Sequence, residues 1–555
     1  MMRITSNFIL VILICLIPLI RLSAQEQIDK RVQVVRSYRP EVKEAYKISE
    51  LPEITDTTQT ETEFDYYLLP KRVETQFDLD PIPSATMVSE PIKELYGSYV
   101  KIGLGSKLAP LAEFSITNKR SKNRAFGAFL RHRSSPGKVA MPDGERVFAG
   151  YSTNKAELFG KQFFENSVLE LNLGGKHNTR YFYGYNTNID TTLLKDNIRQ
   201  NFTNVGFSLG YNSTYIDSSH LNYDLQVEGN HLNDNFNTTE NRIKVTGDFD
   251  KFYDDFHVGM DAGYTYIEHQ SMQDTVNNNL VKVSPWVARY GDGWRIQGGI
   301  SFFSDIVEDE GKARIYPTAQ LEYDMVSQYF IPYGGIDGKL ALNPYKSVTE
   351  VNPFIMPGLH IKNTNYNMIF YAGMRGHLSP STFYNVRMEY TFFDDMYFFV
   401  NEIAATDGAG NHFDVVYGNG EKLNLFGELS IDVSNDFNLR LKGNYYDYVM
   451  YDQARPWHKP NYDLTFSARY DLRDKIIVQG DIFLSGRRWV KPAGPSEDTF
   501  KLDGYADLNL GLEYRYSKVL SGFLKLKNLL ANNYSIYNNY PVYGLHAYLG
   551  ITYAF

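Results

Sequence analysis

Charged and amide side chains recur at every second position in several stretches of this chain, a spacing that could do chemistry. Asn438, Arg440 and Lys442 form one series, Asp507, Asn509, Glu513 and Arg515 a second, and Lys525 and Lys527 a third. A period of two puts each series on one face of an extended strand. Such a wall could recognise a solute or select ions in a channel. It could also pair its own charges between neighbouring strands, which the interleaving of both signs favours. Catalytic signatures are missing. The chain has no H-E-x-x-H, no G-x-S-x-G, no Cys/His metal spacing and no phosphate-cradling loop. Its 11 histidines scatter, His132, His177, His220, His257 and His458 among them. Pieces such as Gly103-Leu104-Gly105 read as strand glycines that ease curvature. The expectation is a protein that is not an enzyme and carries no cofactor or metal.

The elements that position these residues follow from what stands between them. Leu439 and Leu441 alternate with the first series, and Leu508, Leu510, Leu512, Tyr514 and Tyr516 with the second. The same alternation appears at Leu169, Leu171 and Leu173, and at Leu221, Tyr223, Leu225 and Val227. At the C-terminus Leu545, Ala547, Leu549, Ile551, Tyr553 and Phe555 share one face, against His546, Tyr548, Gly550, Thr552 and Ala554. A soluble sandwich would bury the apolar face in a core, whereas a membrane barrel would turn it to lipid. Connections separate the two. Short turns are expected at 164–166, 217–219, 254–255, 394–395, 435–436, 473–474 and 517–518. They alternate with longer polar loops at 134–145, 185–195, 404–411, 452–461 and 491–498. Loops sorted by parity are the asymmetry of an outer-membrane barrel, and nothing requires them in a sandwich.

Composition agrees. Tyr 43 and Phe 35 are heavy usage beside Trp 4 and Cys 1. Residues 1–24 read as a cleaved signal peptide, with Arg3 leading an apolar run and Leu22-Ser23-Ala24 before the cut. That run is too short to span as a helix, and nothing beyond it approaches the ~20 apolar residues a membrane helix needs. Cys15 leaves with the signal, so disulfides play no part. Losing Arg3 and Arg21 takes the formal charge from −9 to −11, which argues against nucleic acid as a partner. In lipid only helices and closed barrels satisfy every backbone group. The fold expected is therefore an all-β transmembrane antiparallel barrel over 95–555. At about 10 residues per span it holds about 22 strands, in a range of roughly 20 to 24. Bulges or bent ends are expected around 329–380 and 397–429.

The closing segment Leu524-Lys525-Leu526-Lys527-Asn528-Leu529-Leu530, with Tyr534, Tyr540-Pro541, Gly544 and the strand ending at Phe555, resembles the last hairpin of TonB-dependent receptors. Leu545 and Ala531 stand where that family often has arginine and aspartate. The tract Val34-Val35-Arg36-Ser37-Tyr38-Arg39-Pro40 also resembles the start of such barrels from Bacteroidota. The resemblance implies a barrel of about 22 strands in the outer membrane of a Gram-negative cell, with solute import as its activity. Tyr553 and Phe555 would be the signal read by the barrel-assembly machinery. Residues 25–94 are too few for the family's full plug. Their prolines (Pro40, Pro52, Pro70, Pro81, Pro83 and Pro91) read as a periplasmic tether or reduced plug. Within it Val32, Val34 and Val35 could pair, as an exposed strand, with a TonB-type periplasmic protein. A barrel this wide leaks unless filled, so the tether, inward loops or a partner chain should occupy it. Two functions stay open: a receptor-type transporter or channel for an unknown solute, or an occluded barrel serving as a subunit of an outer-membrane complex.

Overall fold

The computed structural model describes residues 97–555, apart from 119–120, 186–194, 216–218, 309, 403–411 and 493–497. The expected signal peptide and tether, with Val32, Val34 and Val35, lie outside the described residues. Twenty-two strands, from Ser98–Gly105 to His546–Ala554, each pair antiparallel with their neighbours in sequence order. The first and last strands then pair with each other, from Tyr99 opposite Ala554 to Gly105 opposite Tyr548. Ser98 and Phe555 complete this seam by exchanging backbone bonds of 3.2 and 2.9 Å. The sheet is a closed barrel, which leaves no edge for lipid to strip of hydrogen bonds.

Alternation decides which side each residue takes. Ile102, Leu104, Leu549, Ile551 and Tyr553 stand exposed on the outer face, Leu549 at 67%. Leu104 lies opposite Leu549, and Leu549 opposite Leu524, so aliphatic rows run across strand after strand. Such a surface has no partner among the described residues, and acyl chains are the solvent that suits it. On the alternate face Tyr548 and His546 are buried.

The turns at 164–166, 254–255, 435–436, 473–474 and 517–518 gather at the rim that holds Ser98 and Phe555. The pair Asp394-Asp395 is not a turn. It lies inside the strand Thr382–Asn401, where the register against Phe413–Ser434 slips between Phe393 and Met396. Asp395 takes a positive φ of 54° and its N–H donates to Asn419 Oδ1 (2.9 Å), so two turn-forming residues make a bulge. The opposite rim carries the longer connections. These include the short helix Tyr345–Val351 and three small hairpins: Lys138–Ala140 with Arg146–Phe148, Arg488–Val490 with Phe500–Leu502, and Ser535–Tyr537 with Tyr540–Pro541.

One place in the wall is thin. Strands Glu310–Tyr323 and Ile331–Ala341 pair only from Ala319–Ile336 to Glu322–Tyr333. Beyond that the second strand leans across the inner side of the first. A Cβ on Gly338 would meet the Tyr316 ring at 2.5 Å, so only glycine allows this approach. Leu340 packs there with Leu280, Phe303 and Tyr316. Pro317, which has no N–H to give a ladder, stands in the unpaired stretch.

Candidate solute path: the loop cap and the inner wall

The long-loop rim is covered by side chains that the barrel alternation does not place. Helix Tyr345–Val351 begins after Pro344, which offers it no side-chain cap. Glu240, buried at the top of its strand, supplies one instead. Its carboxylate accepts from the Tyr345 and Lys346 N–H groups, the latter at 3.1 Å. An anion belongs at that end because the first N–H groups of a helix have no internal partner. Tyr345 Oη donates to Asp234 (3.0 Å), and Lys176 pairs with Glu350 at 3.0 Å, fixing the helix to the walls.

Around this helix, loops from distant parts of the chain share one core. Tyr345, Val348, Ile355 and Ile361 pack with Phe399, Phe413, Val415 and Tyr540, and against Phe202 and Leu232 on the wall. The Tyr540 ring stacks on Phe354 at 3.8 Å and meets Tyr183 edge-on at 5.0 Å. Tyr183 Oη donates to Pro541 O (3.0 Å), and Tyr537 Oη to Val351 O (2.8 Å). Burial holds the Tyr540 phenol far above its usual pKa, so it stays neutral.

A second cluster joins Trp457 to Phe393, Met396, Phe398 and Val400. Beside it His458 is buried, its Nδ1–H donating to Phe399 O (2.9 Å) while Nε2 accepts from Asn538 N (3.4 Å). That pattern needs the neutral tautomer, and burial pushes the imidazole down to about 4. Lys459 lies over the Tyr397 and Phe398 rings, its amine pushed down to about 8 by burial and by the Lys422 charge. Arg488 has no carboxylate within ion-pair distance among the described residues. It donates to the carbonyls of Ile536 (2.5 Å), Ser535 (2.9 Å) and Asp503 (3.4 Å), locking two loops together.

Below the cap the wall is polar. The residues picked from the sequence lie on the inner face, but they do not form one site. Asn438 donates to Asp432 (2.6 Å), Arg440 approaches Glu428 at 4.0 Å, and Lys442 lies over the Phe426 ring. Arg515 sits between Asp471, Asp474 and Glu513, at 3.8, 3.7 and 3.9 Å. Asp507 accepts from Tyr534 Oη (2.6 Å) and Asn509 from the Asn528 N–H (3.1 Å), so both anchor the last long loop. Lys525 and Lys527 have no carboxylate within ion-pair distance among the described residues. Lys101, Arg133 and Arg180 share that condition and were missed in the sequence, although parity puts Lys101 opposite Ile102 and Leu104.

Two other sectors are balanced. Between strands Asn222–Asp234 and Thr275–Gly291, Arg242 pairs with Glu228 (3.3 Å), His257 meets Asp250 (2.7 Å) and Lys282 meets Asp261 (3.8 Å). Beside the thin seam a cavity of about 550 Å³ is lined by Tyr333, Lys339, Tyr371, Arg375, Arg387 and Lys422 among others. Most of its charges are answered: Arg375 by Glu322 (2.7 Å), Arg387 and Lys422 by Glu389, the latter at 3.4 Å. No group of three or more His, Cys, Asp or Glu suited to a metal occurs among the described residues.

No protein-family model and no curated protein matches the chain. Solved structures do. The FrpB iron transporter from Neisseria meningitidis aligns over 84% of this chain and 82% of its own, with a TM-score of 0.64 at 11% identity. The copper transporter OprC aligns over 84% and 82%, with a TM-score of 0.62 at 13% identity. The pyoverdine outer membrane receptor FpvA from Pseudomonas aeruginosa aligns over 84% and 79%, with a TM-score of 0.60 at 9% identity. At such identities the likeness is one of fold: this chain has the barrel fold of outer-membrane receptors and transporters.

Proposed function

We propose that the chain is an outer-membrane barrel of the TonB-dependent receptor type that passes a solute along its inner wall. The observation that carries this reading is the cap. Loops packed across the mouth above a polar, charge-lined wall make a closed path that can open, as a receptor for import requires. The fold shared with an iron transporter, a copper transporter and a pyoverdine receptor supports transport as the activity. In this reading residues 25–94 lie in the periplasm, and Val32, Val34 and Val35 meet the energy-transducing partner by strand addition. Crosslinking to that partner should disappear in Val34→Pro, and an undiminished crosslink removes the coupling step.

The depth of the cap also favours a second reading, an occluded barrel that serves as a subunit of a larger outer-membrane complex. Single-channel recording of the full chain in planar bilayers separates the two. A receptor should be closed at rest and give discrete openings when the cap is weakened. Silence under all conditions, with a stoichiometric outer-membrane partner co-purifying, supports the subunit. A large steady conductance in the intact protein overturns both.

A further inference from the structure

Near the closing seam the inner wall gathers positive charge that no carboxylate of the described residues neutralises. Lys101 and Lys525 come from strands on either side of the last one, and both reach the same ring. Their Nζ atoms lie 4.4 and 5.9 Å from the centroid of Phe523. Arg133 and Arg180 likewise share Tyr151, at 5.5 and 5.6 Å. Arg133 Nε donates to Tyr548 Oη (3.2 Å), and the Tyr151 and Tyr548 hydroxyls share a hydrogen bond of 2.9 Å. Lys527 follows Lys525 on the same face, opposite His546. Glu113, opposite Lys101 in the ladder, is already held by Arg131 at 2.9 Å, and Asp507, whose charge reaches Lys527, already accepts from Tyr534 Oη (2.6 Å).

A like-charge cluster repels itself, and aromatic faces relieve that only in part. Elsewhere on this wall many cations meet carboxylates, as at Lys161 with Glu170 (2.5 Å) and Lys282 with Asp261 (3.8 Å), while Lys339 and Lys442 lie singly over aromatic rings. This sector differs in gathering several such cations together, and that accumulation is what an oxyanion would repair. Guanidinium and ammonium groups bind phosphate and carboxylate oxygens by charge-assisted hydrogen bonds, and several together favour several charges. We propose that the Lys101, Arg133, Arg180, Lys525 and Lys527 sector is the binding site for a polyanionic solute, one carrying two or more phosphate or carboxylate groups. The inference rests on the inner wall being a solute path, but binding needs no transport and is measured apart from it.

The test is calorimetry on the full chain in neutral detergent, with inorganic triphosphate and citrate as probes and acetate as the singly charged control. Triphosphate or citrate should bind at least about tenfold more tightly than acetate, and raising salt from low to high should weaken binding by about tenfold. Whichever of the two binds more tightly identifies the solute as phosphate-bearing or carboxylate-bearing. Lys525→Gln with Lys527→Gln should weaken binding by about tenfold or more, and Lys525→Arg with Lys527→Arg should restore it. Lys282→Gln, on the balanced sector, should change nothing. Heat-modifiable migration on a gel reports that each barrel is folded, and Lys101→Gln alone serves if the double variant is not. Absence of binding by wild type, or equal loss in Lys282→Gln, overturns the proposal.

Discussion

The two rims of this barrel are built by different rules. At the rim that holds Phe555, strands turn within a few residues, and Asp254, Gly293, Arg473 and Asp474 take the positive φ that tight turns demand. Of their side chains, Asp474 also approaches Arg515 at 3.7 Å. At the other rim, the connections that follow Tyr181, Ala341 and Lys527 converge on Tyr540, Phe413 and Ile355, which are at most 2% exposed. One end closes hairpins; the other carries a loop core packed against Phe202 and Leu232 of the wall. The difference teaches where a change would be tolerated by the wall, because the loop core is held by side-chain packing and the strands by their ladders.

The sharpest way to break this contrast is to empty the cap. Tyr540→Ala removes a ring stacked on Phe354 and bounded by Tyr183 and Phe413. Deleting a fully buried aromatic costs about 3–5 kcal/mol, and here the loss falls on the cap rather than the strand ladders. Limited proteolysis should cut within 342–363, and single channels should open in planar bilayers, while the barrel keeps its heat-modifiable migration. If the cap stays protected and the bilayer silent, the loops are decoration on an otherwise occluded barrel.

Acid should do the same more gently. Folded His458 titrates near 4, below the ~6.5 of an exposed imidazole, so the cap holds it neutral. Its contribution is fully present above pH ~6.5 and fades as pH falls toward 4, a loss of roughly 3 kcal/mol in all. Lys459 acts in the same sense at higher pH, since an amine lowered to about 8 favours the cap as pH rises from 8 toward ~10.4. Hydrogen-exchange protection around Trp457, referred to the intrinsic rate at each pH, should fall between pH 6 and 4, with the strands unaffected. Protection that stays flat across that interval, or rises in acid, removes His458 as the cause.

What the sequence made legible follows the same division. Leu549, Ile551 and Tyr553 declare the outer face because a strand repeats every two residues and lipid asks only for apolar surface. The strand number followed from span length. Asp394-Asp395 misled because two aspartates suit a turn and a bulge equally, and only the partner strand's Asn419 decides between them. The cap was illegible for a stronger reason. Phe354 and Tyr540 lie far apart in sequence, and nothing periodic marks residues that meet through loops. Lys101 and Lys525 approach each other only because the barrel closes, so parity could assign each a face but not a neighbour.

The smallest effect belongs to the short-turn rim and tests the other half of the contrast. Asp254 has a φ of 50° in the turn between Thr239–Tyr253 and Phe256–Gln270. Asp254→Gly removes the Cβ that this conformation crowds, so it should leave stability within about 0.5 kcal/mol of wild type. Asp254→Val puts a β-branched side chain where φ is positive and should cost about 1–2 kcal/mol. Neither should alter conductance or the protection of Trp457, because among the described residues this turn and the cap lie at opposite rims. Urea-induced unfolding in lipid vesicles reads the first quantity and planar bilayers the second. A turn variant that opened the channel would mean that the two rims communicate through the wall, and the cap could no longer be treated as a separate body.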